Sequence, residues 1–138
     1  MAKDKLSLAA WIEDAEQKGI SLREALITYN AEKMGIGPEA LLEKMSEMLK
    51  VMRSSIDYGL TGVRSRSKLT GGSAKKLLEA KQGNNYNNIL GQTVSDAVIF
   101  SLAVAEANAA MGRIVAAPTA GASGVLPGML FSLQKNYK

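Results

Sequence analysis

Residues 94–111 read VSDAVIFSLAVAEANAAM. Eighteen-residue runs of this kind decide a fold. Apolar residues fill nearly every position, with no alternation of period two and no proline or internal glycine. The alanine-rich composition favours a helix, and a helix apolar almost all round belongs at the centre of a bundle. The alanines leave room for neighbouring helices to approach closely. Thr93 stands as the expected N-cap, Asp96 suits the positive end of a helix, and Gly112 is the expected stop. Asp96, Glu106 and Asn108 are the acidic and amide residues of this buried helix. A charge there costs several kcal/mol unless paired, roughly 3 or more. Glu106 is therefore expected to pair with a buried arginine, to emerge into a cleft, or to titrate.

Working outward from that helix, the flanking segments are also helical. Leu8 to Lys18 is bounded by Ser7 as N-cap and by Gly19. Ser21 and Glu24 form a capping box that opens a helix running to Met34 and stopping at Gly35. Pro38 suits a first helical position. Leu41, Leu42, Met45, Met48, Leu49, Met52 and Ile56 then recur at helical spacing as one apolar stripe, with the methionines as core filler and Gly59 as the end. Ser73 to Lys81 fits a short helix, Gly83 to Asn88 a polar turn, and Met129 to Tyr137 the start of a last helix. The expected fold is all-α, a helical bundle around a buried, alanine-rich central helix with two glycine-rich loops. It is expected to be one helical domain over 1–138, with 1–58 as a lead-in and 59–138 carrying the motifs. The apolar last segment leads us to expect that more chain, or a partner, completes it.

Composition narrows the chemistry. Of 138 residues, 46% are hydrophobic and 5% aromatic, which favours packed helices over a β-sandwich. No run reaches the roughly 18 consecutive apolar residues of a membrane span, and no secretory leader is visible, so a cytoplasmic protein is expected. The chain has no cysteine and no histidine, which removes thiolate chemistry and the commonest general base and metal ligand. The net charge of +4 is mild, but Lys50, Arg53, Arg64, Arg66, Lys68, Lys75, Lys76 and Lys81 crowd one segment. No aromatic residues interleave with the cations of the loop, so nucleic acid is not the expected partner.

Two glycine-rich segments flank the central helix. The first, residues 59–72, pairs cations with hydroxyls in Ser67, Lys68 and Thr70 and ends on Gly71 and Gly72, a composition suited to a small anion. The second, residues 112–128, contains Pro118, Thr119, Ala120 and Gly121, where small residues let backbone N–H groups approach a carboxylate or phosphate. It is neither a Walker loop nor a dinucleotide fingerprint. On pattern alone, a solvated basic loop for the first and a tight interhelical turn for the second are the commoner readings. A non-catalytic helical module that binds a small anion or a partner protein is also admissible.

Taken in order, Ser67-Lys68-Leu69-Thr70-Gly71-Gly72, the helix Ala103 to Gly112, and Ala117-Pro118-Thr119-Ala120-Gly121 running into Gly124-Val125-Leu126-Pro127-Gly128 resemble the α portion of the iron–sulfur L-serine dehydratases. The resemblance runs from about Met48 to Phe131; the first 45 residues carry little of it. It implies an amino-terminal fragment of an all-helical α domain that works with the remainder of that domain and with a β chain or domain, in an oligomer. It implies a lyase converting L-serine to pyruvate and ammonia, with a [4Fe–4S] cluster as Lewis acid held by three cysteines. None of those cysteines is here, so this chain is expected to bind no cluster and to be inactive alone. Some members carry a cysteine at the place of Ser123, which the resemblance does not make a cluster ligand. Substrate-binding candidates carried over are Ser67, Lys68, Thr70, Gly71, Gly72, Asn108, Pro118, Thr119, Ala120 and Gly121. Lys68 and Glu106 are candidates for catalysis.

Overall fold

A computed structural model of the chain describes residues 7–83 and 88–137. Among them are six helices and no strand: α1 (Leu8–Lys18), α2 (Leu22–Met34), α3 (Pro38–Leu60), α4 (Ser73–Gln82), α5 (Gly91–Ala109) and α6 (Ala120–Asn136). The all-α expectation holds. The chain divides into two compact units, residues 1–47 and 48–138, with the boundary inside α3.

The first unit follows its local signals. The Ser7 hydroxyl accepts from the Ala10 N–H, and Gly19 ends α1 in the left-handed conformation. At α2, Ser21 accepts from the Glu24 N–H while the Glu24 carboxylate accepts from the Ser21 N–H at 2.9 Å and from its hydroxyl at 2.7 Å. Those bonds from Ser21 hold the Glu24 carboxyl below its ordinary value. Ala15, Ala25 and Ala31 are buried, and the Trp11 and Tyr29 rings meet at 5.5 Å. Small residues thus set a close α1–α2 approach, with one aromatic pair beside it.

In the second unit α5 is central. Ile99, Phe100, Ala103 and Val104 are buried together with Met52 and Ile56 of α3, Ala74 of α4 and Phe131 of α6. The helices approach α5 closely because glycines face it. A Cβ at Gly59 of α3 would collide with the Ala103 backbone, and one at Gly128 of α6 with Ala97 and Ser101. Gly59 is therefore a packing residue within α3, not its terminator; the helix runs on to Leu60 and the left-handed turn falls at Gly62. The apolar stripe expected on α3 is buried only in part. Leu41, Met52 and Ile56 are covered, whereas Leu42, Met45, Met48 and Leu49 are exposed. Burial of α5 is likewise one-sided at Val94, Val98, Ala105 and Asn108, which are exposed.

Three boundaries differ from expectation. α5 begins at Gly91, so Thr93 is not its cap; its carbonyl oxygen instead accepts from the Ser132 hydroxyl of α6. α5 ends at Ala109 and the left-handed residue is Met111, one before the expected Gly112. Gly112 is small for another reason: a Cβ there would meet the Tyr58 ring at 2.8 Å and the Ala107 carbonyl oxygen at 2.9 Å. α6 begins at Ala120, nine residues before the expected Met129, and contains Pro127. Glycine costs about 1 kcal/mol and proline about 3 kcal/mol inside a helix. Gly124 and Gly128 lie against α5 and Pro127 is buried, and that burial offsets the local costs. Of the polar turn expected at Gly83–Asn88, residues 84–87 lie outside the described residues.

Candidate functional site

The two motif-bearing segments meet at one end of α5. Gly124 lies against Ser101, Gly128 against Ala97 and Ser101, and Ser132 against Thr93, so α6 runs antiparallel to α5. Its first turn, at Thr119–Ala122, is thereby level with the last turns of α5, around Glu106 and Asn108. On the α3 side, Gly59 lies on Ala103 and Tyr58 on Gly112. The basic loop between α3 and α4 is thus delivered to that same end.

Residues 61–72 form a tight hairpin without a strand of their own. Arg64 and Gly71 make an isolated antiparallel bridge, the Ser65 N–H donates to the Thr70 carbonyl oxygen at 2.8 Å, and the Lys68 N–H donates to the Ser65 carbonyl oxygen at 2.8 Å. The Ser65 hydroxyl accepts from the Thr70 N–H at 3.2 Å and lies 3.2 Å from the Ser67 hydroxyl. Lys68 has φ +60, a left-handed conformation uncommon outside glycine. Ser67, Lys68 and Thr70 are exposed at the tip. Gly71 has φ +126, and a Cβ there would strike the Val63 carbonyl and the Arg64 Cα, so glycine is required twice over.

Glu106 is 1% exposed. Its Oε2 accepts from the Gly72 N–H at 3.0 Å, its Oε1 from the Ser73 N–H at 2.8 Å, and the Ala74 N–H lies 3.4 Å from both. These are the orphan donors of the first turn of α4, whose N-cap Gly72 has no side chain to offer them. Glu106 thus meets backbone rather than the arginine or cleft expected for it. The N–H of Gly72 is committed inside the protein.

The second segment is held differently. The Thr119 hydroxyl accepts from the Ala122 N–H at 3.1 Å and caps α6. The Ser123 hydroxyl accepts from the Ala117 N–H at 2.9 Å and donates to the Thr119 carbonyl oxygen at 3.3 Å, pinning Pro118 and Thr119 to the helix. Pro118, Thr119, Ala120 and Gly121 are exposed, and nothing lies within 4 Å of where a Gly121 Cβ would stand. By helix geometry the Ala120 and Gly121 N–H groups have no intrahelical partner. Of the two helix N-termini at this end, that of α4 is filled by Glu106 and that of α6 opens outward. Asn108 is exposed on the last turn of α5.

The other buried acid, Asp96, is expected to serve the positive end of α5 by its charge, but the helix starts five residues earlier at Gly91 and the carboxylate meets side-chain donors instead. Its side chain is fully buried, with Lys81 Nζ at 2.6 Å, Lys135 Nζ at 3.0 Å and Asn136 Nδ2 at 3.1 Å. Burial alone pushes its carboxyl up; the bonds from Lys81, Asn136 and Lys135 overcome that and hold it below the ordinary value. No local pattern reveals this cluster, because its members come from three helices.

Residues 9–138 match the family described as serine dehydratase alpha chain. The chain belongs to that family. The match begins well before Met48, so the first unit also carries family sequence. Among curated relatives, the chain is 37% identical over 124 residues to a probable L-serine dehydratase alpha chain of Bacillus subtilis, covering 90% of this chain and 41% of the relative. It is 30% identical over 127 residues to the L-serine dehydratase alpha chain of Peptoniphilus asaccharolyticus, covering 91% and 43%. To an L-serine dehydratase of Haemophilus influenzae it is 34% identical over 102 residues, covering 72% and 22%. It therefore spans less than half the length of these curated relatives. No solved structure matches. A [4Fe–4S] cluster, as the family resemblance implies, does not fit this chain's own residues: the sequence has no cysteine or histidine, and among the described residues no three Asp or Glu side chains gather to hold a metal. No described helix is long and apolar enough to cross a membrane.

Proposed function

We propose that this chain is the amino-terminal part of the α portion of a cytoplasmic L-serine dehydratase, and that the complete protein converts L-serine to pyruvate and ammonia. The observation that carries the reading is the convergence of both family motifs at one end of α5, one on the basic hairpin and one at the open first turn of α6. The substrate carboxylate is received by the Ala120 and Gly121 N–H groups, where the positive end of α6 favours an anion. Lys68 adds a cation, and the Ser67, Thr70, Thr119 and Asn108 side chains add hydrogen-bonding groups. Gly71 and Gly72 shape the hairpin that presents them. A [4Fe–4S] cluster, if the complete enzyme holds one, is bound by residues outside these 138, and the isolated chain is inactive.

The partners in this reading are the remainder of the α portion and the β chain or domain. Leu126, Met129, Leu130 and Leu133 recur at helical spacing on the exposed side of α6 and support it. Uncharged apolar faces of this kind mark interaction surfaces.

The test is a chimera in which these 138 residues replace the matching part of the Bacillus subtilis α chain, assayed anaerobically for pyruvate from L-serine beside the parent. Activity is expected in the folded chimera, and its absence there counts against the reading. In the active chimera Thr119→Ala and Lys68→Ala are each expected to lower kcat/KM well beyond twofold. Changes within about twofold, below 0.5 kcal/mol of transition-state binding, would remove both residues from the site.

A further inference from the structure

Glu106 is the buried acid nearest the candidate site, and its contacts argue against proton transfer. It is 1% exposed, and both carboxylate oxygens accept from backbone N–H groups of Gly72, Ser73 and Ala74. A catalytic acid or base needs a lone pair or proton directed at the substrate. Here the oxygens are turned toward the first turn of α4. We infer that Glu106 is a positioning residue: its carboxylate is the built-in anion of the α4 N-terminus, and it holds the basic hairpin in register with α5.

Consider how the hairpin is attached. At one end Gly59 of α3 is seated on the Ala103 backbone of α5. At the other, Gly72 to Ala74 are bonded to Glu106, three residues further along the same helix face. Both anchors thus belong to α5, and the tip residues Ser67, Lys68 and Thr70 are placed by them. Gly72, at φ +83, offers no side-chain cap. Without Glu106 the α4 N-terminus has no anion, the second anchor is lost, and free N–H donors appear beside a site proposed to bind a carboxylate. The anchoring stands on geometry alone; its meaning for substrate binding rests on the dehydratase reading.

Two experiments separate those layers. In the 138-residue chain, limited trypsin digestion follows cleavage after Arg64, Arg66 and Lys68, with cleavage after Lys18 and Lys33 as the internal reference. Glu106→Ala is expected to speed hairpin cleavage selectively by about tenfold, the scale of losing one helix cap. Formate, but not chloride at equal ionic strength, is expected to restore protection by refilling the vacated carboxylate position. Glu106→Gln, nearly isosteric, should fall between wild type and Glu106→Ala and keeps the test open if the alanine variant fails to fold. Unchanged hairpin cleavage in both variants overturns the anchoring. So does acceleration at every site without formate rescue, which marks a general stabiliser.

In the chimera, Glu106→Gln is expected to raise KM more than it lowers kcat and to leave the shape of the pH profile intact. Loss of one limb of that profile overturns positioning in favour of acid–base catalysis. A chimera without activity, alongside formate-rescued hairpin protection, sinks the dehydratase reading and leaves the anchor standing.

Discussion

Asp96 and Glu106 lie toward opposite ends of α5, both buried, and they are neutralised by different means. Asp96 meets side-chain cations, Lys81 and Lys135, with Asn136 completing the set. Glu106 meets backbone N–H groups at the start of α4. Together they clasp α4 at both ends, Glu106 at its first turn and Asp96 through Lys81 at its last. The difference teaches what each end is for. Ammonium side chains can come from any helix and tie three of them at one point, whereas a carboxylate on a helix N-terminus fixes the path of a backbone. The end that must fix a loop uses the second device.

The largest effect should come from breaking the charged end. Asp96→Ala leaves Lys81, whose side chain is 7% exposed, buried without its carboxylate, a loss of about 3–5 kcal/mol. Urea unfolding followed by circular dichroism measures it. A loss below 1 kcal/mol would mean that Lys81 escapes to water, and the charged end would then be no more than a surface pair.

At the loop end the corresponding break is steric. Gly59→Ala places a methyl group against the Ala103 backbone, where no flexible side chain can yield. Overpacking of this kind costs about 1–3 kcal/mol, sometimes more. Because Gly59 is one anchor of the hairpin, the variant should also speed tryptic cleavage at Arg64 and Arg66. A melting temperature equal to wild type would show that α3 can lift from α5 without penalty.

The pH dependence sharpens the comparison from the Asp96 side. Its folded carboxyl is held below the ordinary value by Lys81, Asn136 and Lys135 despite burial. A depressed acid contributes stability above its unfolded value, near pH 4, and loses that contribution as pH falls through the lower folded value. Stability should therefore decline as acid is added below about pH 4, and Asp96→Asn should flatten that decline while being less stable at neutral pH. An unchanged acid limb in Asp96→Asn would shift the effect to other carboxylates.

What could be read from the sequence follows the same division. The boundaries of α1 and α2 were legible because Ser7, Ser21 with Glu24, Gly19 and Gly35 act within one turn of themselves. The start of α6 was not, because Pro127 and three glycines argue locally against a helix and only α5 argues for it. Asp96 reads as an acid placed for a helix N-terminus because Thr93, the expected cap, precedes it by three residues; its cations are fifteen and thirty-nine residues away. The site motifs were legible as small-residue and basic segments. That Glu106 bolts one of them down, across thirty-four residues from Gly72, has no local signature.

The smallest expected effect probes the inequality of the two lysines on Asp96. Both place Nζ on the same carboxylate oxygen, Lys81 at 2.6 Å and Lys135 at 3.0 Å, but the Lys135 side chain is 47% exposed. Water and salt screen the exposed partner, so Lys135→Ala should cost less than about 1 kcal/mol and depend on ionic strength. Part of even that loss belongs to the stem and to the cation over the Phe100 ring, 5.6 Å from its centroid. Lys135→Met keeps the stem and removes both charge effects. Comparing the two variants with Lys81→Met by urea unfolding at low and high salt decides the point. A Lys81→Met loss several times larger and insensitive to salt places the buried pair at the centre of the cluster. Equal losses for both lysines would mean that the carboxylate is shared evenly, and that its burial comes from α6 as much as from α4.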